Sequence, residues 1–101
     1  MPYIQTFSLV TPDHQAVVEL LRAWAAGDGP AADGFRELWL MREDQHPDRY
    51  LLCAEFAGYE EAMASSVHPA TGPLARELGR LASGAVEARG YQLGTVVEPR
   101  A

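Results

Sequence analysis

Residues 35–56, FRELWLMREDQHPDRYLLCAEF, decide the fold. The runs 35–42 (FRELWLMR) and 49–56 (RYLLCAEF) are rich in aromatic and aliphatic residues and bounded by polar turn residues, so each reads as a strand. The tract Glu43-Asp44-Gln45-His46-Pro47-Asp48 between them is a polar hairpin loop. Working upstream, 3–10 (YIQTFSLV) reads as another strand. Thr11-Pro12-Asp13 follows it as an expected helix start, with Thr11 as the N-cap. Val17, Leu20, Leu21 and Trp24 then recur at i, i+3, i+4 and i+7, one apolar stripe of a helix. That helix is expected to stop in Gly27-Asp28-Gly29-Pro30, with a loop to about Gly34. Downstream, Tyr59-Glu60-Glu61-Ala62-Met63 opens a second helix, which Pro69 interrupts or kinks near His68. Thr71 caps a continuation carrying Leu74, Leu78 and Leu81. Gly84 ends it, and 89–98 (RGYQLGTVVE) is the expected last strand.

The order β-α-β-β-α-β is the split βαβ, ferredoxin-like arrangement. It predicts an α+β domain with a four-stranded antiparallel sheet, two helices on one face, and the first and third strands side by side. The 101 residues amount to a single domain, 1–101. Alternation sorts the second strand into Phe35, Glu37, Trp39 and Met41 against Arg36, Leu38, Leu40 and Arg42. The third gives Tyr50, Leu52, Ala54 and Phe56 against Leu51, Cys53 and Glu55. The first gives Tyr3, Gln5, Phe7 and Leu9 against Ile4, Thr6, Ser8 and Val10. Both faces are substantially apolar, which a sheet wetted on one side does not show. The face without helices therefore needs a cover, and a second copy about a two-fold axis supplies one most cheaply. The expected partner is the chain itself, as a homodimer.

Composition narrows the function. Fourteen acidic residues against eight basic ones, all Arg, give a net charge of −6. That balance repels phosphate backbones and anionic lipid, so neither nucleic acid nor a membrane surface is an expected partner. The start, MPYIQTFSLV, has no basic segment and only short apolar runs. No signal peptide or membrane span is expected, and the location expected is the cytoplasm. One cysteine, Cys53, offers no internal disulfide and no ligand cluster. The three histidines, His14, His46 and His68, are too scattered for a metal site. There is no Gly-rich phosphate loop and no G-x-S-x-G, so nucleotide-dependent and hydrolase classes are unsupported.

The run Phe56-x-x-Tyr59-Glu60-x-Ala62-Met63-x-x-Ser66-x-x-Pro69-x-Thr71 resembles the junction of third strand and second helix in the antibiotic biosynthesis monooxygenase group of dimeric α/β-barrel proteins. The resemblance implies two ferredoxin-like protomers whose sheets face each other in a barrel. It implies one pocket per protomer, between sheet and helices. It also implies oxygen insertion into aromatic, polyketide-type metabolites without flavin, haem or metal, so no cofactor is expected. The chain departs from the group where many members carry a Trp two residues after the strand-3 glutamate; here Glu55 is followed by Phe56 and Ala57. Where many carry a His four residues after the helix alanine, this chain has Ser66, with His68 offset by two. The haem-degrading branch relies on an Asn, and this sequence contains none.

Three residues are candidates for chemistry. His68 carries an imidazole and stands at a helix break, where it could take a proton from a phenol; the competing reading is a structural histidine. Glu55, on the face of Leu51 and Cys53, is a candidate base, against a structural pair with Arg36, Arg42 or Arg89. Arg89 is a candidate partner for a phenolate. Phe7, Trp24, Trp39, Tyr50, Phe56 and Met63 are candidate walls for a flat ligand, against ordinary core filling. His14 and His46 read as surface residues, and Cys53 as an inert buried thiol. The reading is a small cofactor-independent monooxygenase. The alternatives are a non-catalytic ligand-binding or accessory dimer, or a cofactor-free isomerase or cyclase.

Overall fold

The computed structural model describes residues 1–27, 34–69 and 71–99. Strand β1 (Tyr3–Val10) leads into helix α1 (His14–Ala26). Strands β2 (Phe35–Arg42) and β3 (Arg49–Phe56) follow, then helices α2 (Tyr59–Ser66) and α3 (Thr71–Leu81), and strand β4 (Glu87–Gln92). The sheet order is β2-β3-β1-β4 with every pairing antiparallel, so the first and third strands are neighbours as expected. The fold is α+β and ferredoxin-like.

Three strand assignments hold to the residue because turn residues and the polar hairpin loop bound the apolar runs. The last strand is shorter and earlier than expected: β4 stops at Gln92, and Leu93–Pro99 run on as exposed, irregular chain. Leu93 N still donates to the carbonyl of Pro2 (2.8 Å), but beyond it Val96 and Val97 pair with nothing in the sheet. Of the expected loop after α1, residues 28–33 lie outside the described residues.

The start of α1 also corrects the reading. Asp13, not Thr11, is the N-cap: its Oδ1 accepts from Ala16 N at 3.0 Å. Thr11 is buried and uses its hydroxyl elsewhere, donating to the carbonyl of Leu81 at 2.7 Å. The break expected at Pro69 separates two helices, so among the described residues three helices replace two. The gap is bridged by backbone bonds, His68 N to Ser65 O (3.1 Å) and Thr71 N to His68 O (2.9 Å). Thr71 Oγ1 adds a bond to Ser65 O at 2.6 Å. Thr71 thus reaches back across the break as well as starting α3.

The alternation expected for β2 fails at one point. Phe35 pairs with Phe56 and Glu37 with Glu55, so two steps along β2 match one along β3, with Arg36 as the extra residue. This bulge places Phe35 on the same face as Leu38 and Leu40, against the helices, and leaves Glu37, Trp39 and Met41 opposite. Phe35 meets Trp24 of α1 edge-on at 5.3 Å and Phe56 at 5.7 Å.

The core lies between this face and the helices. Leu9, Val17, Leu21, Tyr50, Leu52 and Leu78 form one buried cluster; Ala54, Phe56 and Ala62 form a second. Each fully buried Leu or Phe contributes roughly 1.5–3 kcal/mol of transfer free energy. The turn from α3 into β4 uses Gly84 at φ +97°, a conformation that residues with a Cβ rarely adopt.

Candidate functional site: an uncharged cavity between sheet and helices

A cavity of about 330 Å³ opens between the helical layer and the sheet. The sheet supplies Gln5 and Phe7 from β1, Leu38 from β2, Leu52, Ala54 and Phe56 from β3, and Ala88 from β4. Their side-chain parity explains the set, since alternate residues of each strand face the helices. Leu21 and Trp24 of α1 close one side; Ser65 of α2 and Thr71, Leu74, Ala75 and Leu78 of α3 close another. The break between α2 and α3 therefore falls on the cavity wall, with a lining residue on either side of it. The volume sits at the lower end of the roughly 300–1,000 Å³ typical of small-molecule sites.

None of these lining residues is an acid, an arginine or a histidine. The polar side chains on the walls are Gln5, Ser65 and Thr71; the indole nitrogen of Trp24 is shut off from the space. Such a site binds by shape, apolar contact and a few hydrogen bonds, and a buried ion there would lack a countercharge.

Of the expected wall residues, the structure brings together Phe7, Trp24 and Phe56 on this cavity. Tyr50 is buried in the core beside it, with its ring stacked on His14 at 5.2 Å. Met63 packs with Ala54, Phe56 and Ala62. Trp39 lies on the opposite sheet face, in register with Cys53. His68 is half-buried in the joint between Ser65 and Thr71 and is not a lining residue.

Glu55 and Arg89 also lie on the face away from the helices. Glu55 accepts from Arg36 Nη1 at 3.1 Å, the structural pairing weighed from the sequence, and faces Glu37 across the strands. Arg89 is exposed, in register with Thr6, whose hydroxyl reaches its carbonyl at 3.5 Å. The three residues expected to carry chemistry thus do not converge. Cys53 is buried, and desolvation pushes its thiol above the usual range, away from the reactive thiolate.

The sequence reading missed Gln5, Ser65 and the leucines of α3 as cavity residues. The parity of β1 put Gln5 with Phe7, which was the available signal; nothing local marks Ser65. Among the described residues, no group of three or more His, Cys, Asp or Glu is placed to hold a metal ion. No described helix is long and apolar enough to cross a membrane. A wider depression of about 640 Å³ lies at the far end of the sheet; Arg42, Glu43, Arg49 and Glu87 give its rim both signs of charge.

A four-stranded antiparallel sheet in this order with helices on one face is the fold of the antibiotic biosynthesis monooxygenase type, which the chain resembles. SnoaB from Streptomyces nogalater, a cofactor-independent oxygenase, matches with a TM-score of 0.76 at 17% identity, over 97% of this chain and 98% of that one. A Deinococcus radiodurans protein assigned to the antibiotic biosynthesis monooxygenases matches over the full length of both chains, with a TM-score of 0.74 at 14% identity. A conserved protein from Methanosarcina mazei reaches a TM-score of 0.78 at 10% identity, over 91% of this chain and 92% of that one. No family model matches the chain, and no curated protein matches it by sequence. At these identities the likeness is one of fold.

Proposed function

We propose that the chain is a small-molecule oxygenase of the cofactor-independent kind, acting as a homodimer on a flat aromatic, polyketide-type compound held in the sheet–helix cavity. The observation that carries this reading is the cavity itself: apolar, of ligand size, walled by Phe7, Trp24 and Phe56, and free of charged lining residues. The oxygenase named among the solved structures supports it through the shared fold.

In the reaction, an electron-rich phenol or enol loses a proton, and the anion gives one electron to O2. The radical pair then recombines to a carbon-bound peroxide, which takes up a proton. Loss of water from the hydroperoxide leaves one oxygen atom in the product as a carbonyl. Apolar walls favour this by excluding water from the radical pair. His68, beside the wall residues Ser65 and Thr71, is the base in this reading. Glu55 and Arg89 keep structural roles on the opposite face.

The homodimer is supported by that same face. Val10, Met41 and Tyr91 are between 38% and 50% exposed there, beside half-buried Ile4, Trp39 and Leu51. A second sheet would cover all six. A particle of twice the chain mass in light scattering at micromolar concentration is the expected result; a monomer overturns this part. The location inside the cytoplasm is part of the same reading.

Incubation of the pure protein with anthrone-type phenols under 18O2 tests the chemistry. Labelled product that falls away in His68→Ala supports it, and no label across the panel overturns it. A second reading, a non-catalytic ligand-binding dimer, is favoured by the absence of any titratable side chain among the cavity's lining residues. Saturable ligand binding without oxygen uptake distinguishes it. A cofactor-free isomerase or cyclase would instead keep turning over without O2.

A further inference from the structure

The strand register joins residues into rows across the face away from the helices. Trp39, Cys53, Thr6 and Arg89 form one row, from the free edge of β2 to the free edge of β4; Glu37, Glu55, Ile4 and Tyr91 form the next. The charges on these rows do not balance within one copy. Glu37 faces Glu55 across the strands, and Arg36 pairs with Glu55, at 3.1 Å. Arg49, at the start of β3, is taken by Glu43. Among the described residues neither Glu37 nor Arg89 has an ion pair. In water that costs little. Beneath a second sheet, Glu37 would be a desolvated carboxylate beside another, and it needs a cation. The area agrees with such a cover: the chain exposes 6762 Å², whereas a compact monomer of its 11.0 kDa exposes about 5,600 Å².

We propose that Arg89 of each copy docks on Trp39 and Glu37 of the partner subunit, its guanidinium stacked on the indole and paired with the carboxylate. The inference rests on the homodimer reading and fixes how the two sheets meet. A two-fold axis running along the strands, through the middle of the Trp39–Arg89 row, lays that row on itself reversed. Trp39 then meets the partner's Arg89, and Cys53 meets the partner's Thr6. Glu37 stands one row away, about 7 Å along the strand, within the reach of the same guanidinium. Arginine suits the place because its planar head both stacks on a ring and forks toward a carboxylate. An axis across the strands through the same row would set Arg89 on the partner's Arg89, like charge on like.

The test uses two charge reversals at exposed positions, Arg89→Glu and Glu37→Arg, with sedimentation and native mass spectrometry reading the assembly. Each variant alone is expected to lose roughly tenfold or more in dimer affinity, since its homodimer sets like charges together twice. Mixing the two variants is expected to restore dimers holding one copy of each, because one contact is then native and the other reversed. A pair confined within one chain gives no such preference. Variants that dimerise as tightly as the wild type, or a mixture without preference for the mixed dimer, overturn the assignment and leave the homodimer standing. A wild-type chain that stays monomeric overturns both. Where a variant does not fold, wild-type dimers mixed from labelled and unlabelled copies decide. NOEs between Arg89 side-chain protons of one copy and the Trp39 ring of the other are expected, and a dimer without them overturns the assignment.

Discussion

Thr11 Oγ1 donates a 2.7 Å hydrogen bond to the carbonyl oxygen of Leu81, seventy positions away in the chain. The same hydroxyl accepts from Asp13 N at 3.1 Å, and the backbone N–H of Thr11 donates to Asp48 O at 2.9 Å. Ser83 N donates to Val10 O at 2.6 Å. One residue, barely exposed, therefore holds together the end of β1, the start of α1, the β2–β3 hairpin and the end of α3.

Thr11→Val keeps the shape and deletes the hydroxyl. Leu81 O loses its side-chain donor and Asp13 N its acceptor, at a cost of about 1–3 kcal/mol. The urea midpoint should fall without a change in slope. A variant as stable as the parent would show that water replaces the hydroxyl at both places.

Gly90 and Tyr3 make a second coupled pair. A Cβ built on Gly90 would overlap the hydroxyl and ring of Tyr3, which itself packs edge-on against Tyr59 at 5.4 Å. Gly90→Ala should destabilise by roughly 1–3 kcal/mol through overpacking. The same change made in a Tyr3→Ala background should cost much less, a non-additivity that a double-mutant cycle measures directly.

How far these arrangements were legible beforehand depends on the range of the signal. Strands β1, β2 and β3 announce themselves within eight residues, through aromatic and aliphatic runs ended by Thr11-Pro12 and by the polar hairpin tract. The helix break at Pro69 is legible for the same reason: proline acts on its own turn. Thr11 misleads because its capping chemistry is local while its actual partner, Leu81, is set by the tertiary fold. The bulge at Arg36 is hidden by a strand that is oily on both sides, where neither phase of the alternation stands out. Valines and a threonine in 93–98 have strand propensity, yet they have no neighbouring strand in the chain to pair with. At the site, the family resemblance implied a space between sheet and helices, and of the expected wall residues Phe7, Trp24 and Phe56 line it. Alternation grouped Glu55 with Leu51 and Cys53, and Trp39 with Glu37 and Met41, but which of the two faces takes the helices is set by the tertiary fold.

Cys53 should be chemically quiet. Burial raises its pKa above the ordinary value of 9.0. The folded chain therefore favours the neutral thiol more than the unfolded chain does. That contribution to stability is complete below the unfolded thiol's pKa and is lost as pH rises through the folded one. Aromatic disulfide reagents at pH 8 should label it only after denaturant is added, and the stability of the native state should decline on the alkaline side of pH 9.0. Cys53→Ser, which cannot ionise in that range, should flatten the decline.

The pair Arg36–Glu55 should matter little alone. Its side chains are 50% and 24% exposed, and pairs of this kind contribute under about 1 kcal/mol. Arg36→Met leaves Glu55 facing Glu37 across the strands, so the loss should shrink as salt screens the two carboxylates. Chemical denaturation at low and high ionic strength reads the difference.

Ala75 stands at an exposed edge of the cavity wall. Ala75→Phe should fill the space and abolish binding of aromatic probes while leaving the melting temperature within a few degrees of the parent. Unchanged probe affinity in this variant would place the ligand elsewhere.

The extra residue at position 36 makes β2 a ribbon whose phase is reset partway along. Before the reset the strand addresses the helices through Phe35; after it, the odd-numbered residues address whatever lies behind the sheet. Counting, as well as chemistry, is thereby written into this strand. Exchange of Arg36 for another side chain keeps every address, and its deletion would carry Phe35 to the position before Glu37, where plain alternation still turns it toward the helices opposite Phe56. A second insertion at this point, by contrast, would turn Phe35 away from Trp24 and Phe56.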